Sequence, residues 1–194
     1  MAIGASDTVG VGATDPSKGS WPALLAARLP AGTSYTNLGV SGSLAAQAKT
    51  EQLPAALAGR PTLVTIWLTV NDLNAQIPDR DYSGALRTIV EGLVKSTSAR
   101  IFIGNVPDLR AVPAYAGTDP SLLIGRVLTY NEVIRIISAQ NADRVEVVDL
   151  FTGSAELMTQ VTVAADGFHP SDAGYALIAE RFAAAMRKVG VPLR

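Results

Sequence analysis

Apolar positions along the chain fall into two alternating rhythms. Short runs of mostly apolar or β-branched residues, Thr33 to Leu38, Thr62 to Thr69, Arg100 to Val106 and Val145 to Leu150, read as strands. Thr62 to Thr69 is almost continuously of this kind, as expected for a strand covered by helices on both faces. Between the runs the spacing becomes helical. Trp21, Leu24, Leu25, Arg28 and Leu29 follow a Ser20-Trp21-Pro22 start signal, and Leu44 to Leu57 is an Ala-rich helix that Pro54 is expected to bend or divide. Leu86, Ile89, Val90, Leu93 and Val94 mark the next helix. A long loop is expected from Pro107 to Gly125, then a helix carrying Val127, Leu128, Val133, Ile134 and Ile137. The last helix spans Ser171 to Lys188. Met1 to Ile3 reads as a further strand, short against the usual ~5–6 residues, so the natural gene product is expected to begin upstream.

Strand and helix alternate throughout, which predicts an α/β fold: a five-stranded parallel sheet with right-handed crossovers and helices on both faces. No repeat, linker or low-complexity tract interrupts residues 1–194, and one domain is expected. In such sheets ligands bind beyond the carboxyl ends of the strands. Ser6, Gly39 and Asn71 all emerge there.

Composition narrows the function. Hydrophobic residues make up 48% of the chain and charged residues 17%, below the ~25% typical of soluble domains. A large core is therefore supplied. With 16 Lys+Arg against 17 Asp+Glu, no basic surface favours nucleic acid. No apolar run reaches the ~20 residues of a membrane-spanning helix. The absence of cysteine removes disulfides, thiolate metal sites and cysteine nucleophiles. It leaves the compartment open between cytoplasmic and secreted, the latter with an upstream signal removed. The oligomeric state is equally open.

His169 is the single histidine, so any imidazole chemistry must use it. Asp166 lies three positions earlier across a glycine, where a turn can bring its carboxylate to one ring nitrogen and leave the other free to accept a proton. Ser6 sits where the first strand turns into a Gly-rich loop, and its hydroxyl becomes a nucleophile once a base removes its proton. Gly39 can aim its N–H at a developing oxyanion, and Asn71 can add a side-chain N–H. Each of these residues also has an ordinary reading as a turn or cap residue. No metal or cofactor is called for.

Four short blocks together resemble the SGNH, or GDSL-type, hydrolase family. Gly4-Ala5-Ser6-Asp7 resembles the nucleophile block, Asn37 to Gly42 the second, Val70-Asn71-Asp72 the third and Asp166 to Pro170 the last; Tyr130-Asn131 resembles a recurring helix feature. The resemblance covers nearly the whole chain and implies a flavodoxin-like three-layer α/β/α sandwich. It further implies that Ser6 forms an acyl-enzyme, His169 shuttles its proton and Asp166 orients the ring. The implied oxyanion donors are the N–H groups of Ser6 and Gly39 and the amide of Asn71. Ala5 stands where the name-giving block has Asp, and Thr69 where the third block usually has Gly. A β-branched Thr69 resists positive φ, so an altered approach of Asn71 is expected.

The expected reaction is hydrolysis of small-molecule carboxylic esters with short to medium acyl chains. Leu73, Ile77, Val112, Pro113, Tyr115, Leu122, Leu123 and Ile124 are candidates for the rim of the site. The same mechanism would serve an acetylated sugar, a lysophospholipid or a thioester. Two other classes compete: a flavin- or nucleotide-binding module, disfavoured because Gly10-Val11-Gly12 lacks the third spaced glycine, and an inactive carbohydrate-binding relative.

Overall fold

The computed structural model describes all 194 residues. Four parallel strands form the sheet in the order β1 (Ala2–Gly4), β2 (Leu63–Trp67), β3 (Arg100–Gly104) and β4 (Val145–Val148). Ile3 pairs with Ile66, Ile66 with Ile103 and Ile103 with Val147, so one row of branched residues crosses all four. The expected fifth strand, Thr33 to Leu38, is present only as a parallel bridge of Asn37 to Ala2. Its backbone still lies along β1: the Ala2 N–H donates to Thr36, and the Leu38 N–H donates back to Ala2. The segment is mostly exposed and its one neighbour is three residues long, so neither burial nor a long ladder regularises it.

The eight helices are α1 (Ser6–Val9), α2 (Pro16–Gly19), α3 (Trp21–Ala26), α4 (Ala45–Ala58), α5 (Val70–Asn74), α6 (Asp79–Ser96), α7 (Pro120–Ala139) and α8 (Asp172–Lys188). They divide between the sheet faces as the alternation of strand side chains requires. Ile3, Val64, Ile66, Ile101 and Ile103 face a core shared with α4, α6 and α7. Trp67, Phe102 and Val148 face the opposite core, made with α3 and α8. There Trp21 stacks on Phe182 with ring centroids 4.2 Å apart and meets Trp67 edge-on at 6.4 Å. The result is the expected three-layer sandwich.

Two boundaries differ from expectation. Helix α4 is not divided at Pro54: the lost hydrogen bond falls on the exposed side, while Leu53 and Ala56 hold the other side in the core. Helix α7 begins at Pro120, inside the expected loop. The Asp119 carboxylate accepts from the N–H groups of Ser121 and Leu122, and Pro120 occupies the first turn. Cap and proline together outweigh the helix-weakening Gly125.

Candidate active site

Ser6 opens α1 directly beyond β1, where its N–H has no partner in the preceding turn. Gly4 allows this sharp exit: a Cβ there would lie 1.9 Å from the Thr8 hydroxyl oxygen and 2.9 Å from the Trp67 carbonyl oxygen. Gln52 from α4 holds the same residue through two hydrogen bonds, accepting from the Gly4 N–H and donating to its carbonyl, both at 2.9 Å. Ser6 is thereby anchored to the core.

The Asp166–His169 turn is built differently. Gly167 takes φ +72, and Asp166 Oδ1 accepts from the N–H groups of Phe168 and His169 at 2.9 and 3.0 Å. Its Oδ2 meets His169 Nδ1 at 2.6 Å, and His169 Nε2 lies 3.0 Å from Ser6 Oγ. Burial pushes the Asp166 carboxyl up, but the hydrogen bonds from His169 and the two backbone N–H groups outweigh it and hold the acid below its usual range. The carboxylate is thus ionised where the imidazole needs a partner. Gly12, at φ +97, packs so closely that a Cβ would meet the Pro170 carbonyl at 2.5 Å and His169 Cβ at 3.1 Å. Thr14 donates to Asp172 through its N–H at 2.9 Å and its hydroxyl at 2.6 Å, and the Tyr175 hydroxyl donates to the Val11 carbonyl at 2.5 Å. These contacts stitch the serine loop to the helix that follows the histidine.

Asn71 stands in α5 with one amide hydrogen donated to the Ser43 carbonyl at 3.1 Å and a second left over. Thr69 before it has φ −172 and ψ −41, outside the positive-φ region that a β-branched residue resists, and its hydroxyl pairs with Tyr82 at 2.7 Å. No positive φ is therefore asked of Thr69. Tyr130 donates to the carbonyls of Asp72 and Ile77, fixing the same segment, and Asn131 clamps Val106 by its N–H and its carbonyl. Gly39 is less available than its sequence position suggests: its N–H donates to Asn37 Oδ1 at 2.9 Å. Three residues on, Gly42 at φ +78 has an N–H with no acceptor in the protein.

A family model for GDSL-like lipases and acylhydrolases matches residues 2–177. The chain belongs to that family. It is accordingly a carboxylic ester hydrolase, as the four blocks implied. Solved structures repeat the fold. TesA is 24% identical, with a TM-score of 0.77 and 97% of each chain covered. A member of the lipolytic protein G-D-S-L family from Veillonella parvula DSM 2008 is 18% identical, with a TM-score of 0.72 over 97% of this chain and 96% of that one. Axe2, an acetyl-xylooligosaccharide esterase from Geobacillus, is 22% identical, with a TM-score of 0.74 over 97% and 92%. Among curated proteins, none matches.

The expected rim residues separate. Val112 lines an apolar cavity of about 90 Å³ that starts beside Ser6 and His169, at Asp7, Phe168 and Pro170. Leu73, Ile77 and Leu122 instead line a shallow, open depression elsewhere. Leu123 is buried in the core and reaches neither, because α7 begins early enough to turn it inward. Ile124 packs against the same core. The Tyr115 hydroxyl donates to Asn74 at 2.7 Å, and its ring packs near Phe168. Most of the cavity wall, including Trp67, Met158, Val163 and Ile178, was not singled out in the sequence. These residues lie on a strand, an irregular loop and a helix that only the folded chain brings together.

Proposed function

We propose that this hydrolase is a serine esterase that cleaves short to medium carboxylic esters through an acyl-enzyme, with Ser6 as nucleophile, His169 as general base and Asp166 as its partner. The continuous hydrogen-bonded chain from Asp166 Oδ2 through the imidazole to Ser6 Oγ, at 2.6 and 3.0 Å, carries this reading. Ser6 Oγ attacks the ester carbonyl as its proton passes to His169 Nε2. The tetrahedral adduct collapses as the same proton moves to the departing alkoxide. Water then repeats the sequence on the acyl-enzyme, and the acid and free serine are released.

The negative oxygen of the adduct is received by the Ser6 N–H at the start of α1 and the spare amide hydrogen of Asn71. The loop 39–42 supplies the third donor. Gly42 fits that role better than Gly39, since the Gly39 N–H is engaged by Asn37 while that of Gly42 is free, and Asn71 holds the adjoining Ser43 carbonyl.

Replacing the nucleophile is the direct test. Folded Ser6→Ala is expected to lose at least about 10³-fold in turnover of p-nitrophenyl acetate and butyrate, with an unchanged circular dichroism spectrum. Undiminished turnover by that folded variant rejects the assignment.

A further inference from the structure

The residue after the nucleophile departs from the family's own name. Where G-D-S-L has leucine, this chain has Asp7. Its side chain lines the apolar cavity together with Trp67, Val70, Val112 and Phe168, and it also lines a smaller recess that runs to Thr69 and Asn71. Only its own backbone N–H reaches its carboxylate, and no lysine or arginine pairs with it. The other polar groups on that wall are engaged. Ser154 accepts from the Asp108 N–H and donates to Phe151, Thr162 donates to the Leu157 carbonyl, and Arg181 donates to the Asp149 and Thr152 carbonyls. Asp7 is left facing the space a substrate chain would fill.

An alkyl chain laid against an ionised carboxylate strips its water and returns nothing. A cationic group replaces that water with an opposite charge, and Trp67 and Phe168 place aromatic rings on the same wall. We infer that Asp7 is a specificity-determining residue, selecting esters whose chain carries an ammonium group within reach of Ser6 over esters with plain alkyl chains. The inference rests on the reading of Ser6 as nucleophile.

Four titratable groups bear on Asp7. His169 lies across from it, with Asp166 behind the imidazole, and Tyr115 and Tyr175 add their hydroxyls. Burial raises both tyrosines, so they stay neutral in the working range. Burial likewise pushes Asp7 up to about 6, against the opposing influence of His169. Its charge is present above that pH and lost below it.

Acetylthiocholine and its neutral isostere 3,3-dimethylbutyl thioacetate have nearly the same shape, release a thiol and differ in charge. The ratio of their kcat/KM values cancels enzyme concentration and any change in His169 common to both. At pH 8 the wild type is expected to favour the cation by about tenfold, the scale of one modest cation–π or ionic contact. Asp7→Asn is expected to bring the ratio near one, and Asp7→Leu to reverse it. In the wild type the preference should fade as pH falls below about 6. A wild-type ratio at or below one, or a ratio that Asp7→Asn leaves unchanged, overturns the inference. So does turnover of p-nitrophenyl acetate with neither thioester accepted. If no ester of the three is hydrolysed, the esterase reading itself fails.

Discussion

The serine and the histidine reach the same point by opposite means. Ser6 is 8% exposed and stands at the end of a strand whose residues are wholly inside the molecule. Its position is set by distant parts of the chain, by Gln52 from α4 and by the Trp67 carbonyl that leaves room only for glycine at position 4. His169 sits on a partly exposed turn that closes on itself. Asp166 binds two N–H groups of its own loop, the Ala164 N–H donates to the His169 carbonyl, and Gly167 supplies the positive φ. One half of the site is therefore maintained by the core, the other by local hydrogen bonding. Damage to the first should appear mainly in stability, damage to the second mainly in catalysis.

The carboxylate of the turn gives the largest expected contrast. In Asp166→Asn the amide oxygen can still accept from Phe168 and His169, so the turn keeps its shape. Its NH₂ then faces His169 Nδ1 and forces the other ring nitrogen to carry the proton toward Ser6. An imidazole in that tautomer cannot accept the serine's hydrogen, and kcat is expected to fall about 10³–10⁴-fold with almost no change in Tm. A large drop in Tm alongside the lost activity would show that the turn depends on more than its local bonds.

Gln52→Ala tests the other half. It removes the acceptor of the Gly4 N–H and leaves that buried group facing the space of the lost amide, while the Gly4 carbonyl keeps the Val40 N–H. At roughly 1–3 kcal/mol for a buried group left unsatisfied, thermal unfolding should begin several degrees lower. Enzyme still folded at 25 °C should retain activity within about tenfold, since no reacting group has changed. If turnover collapses while Tm holds, the amide acts on Ser6 and not on the fold.

This division also explains what could be read from residues alone. The histidine side was legible because its parts are near neighbours: Asp166, Gly167 and His169 form one turn, and Ser171 caps the following helix through the Gly174 N–H. Ser6 and Asn71 could be placed because strand ends are visible as changes of hydrophobic pattern. The family resemblance then joined them. What stayed hidden depends on partners far apart in sequence. The Gly39 N–H is taken by an Asn37 side chain that a strand reading of Thr33 to Leu38 gives no reason to turn back. The edge strand reduces to a bridge because β1 offers it little to pair with. Likewise Leu123 reads as a loop residue until Asp119 and Pro120 start α7 ahead of it.

The two halves also hold their acids in opposite ways, which gives the smallest effect and a quantitative one. Asp166, on the turn, is held below its usual range by its donors despite burial. Asp72, beside Asn71, is 1% exposed, and burial pushes it up to about 6. The Ala45 N–H, at 3.0 Å from Oδ2, offsets that only in part. The raised acid binds a proton in the folded state at pH values where the unfolded chain has released it. Its charge therefore costs the fold nothing below about 4, and the cost grows as pH rises through about 6. Asp166 acts in the reverse sense: its contribution is present above the ordinary carboxylate range and is lost only as pH falls below it. Asp72→Asn removes the first effect and leaves the second. Relative to the wild type, the variant should gain stability between pH 4 and pH 7, on the order of 2 kcal/mol, or a few degrees in Tm. Paired thermal scans at those two pH values measure it. A gap between the two proteins that does not widen with pH would mean that Asp72 is ionised in the fold at no cost, and that the buried half of the site holds its charges as comfortably as the turn does.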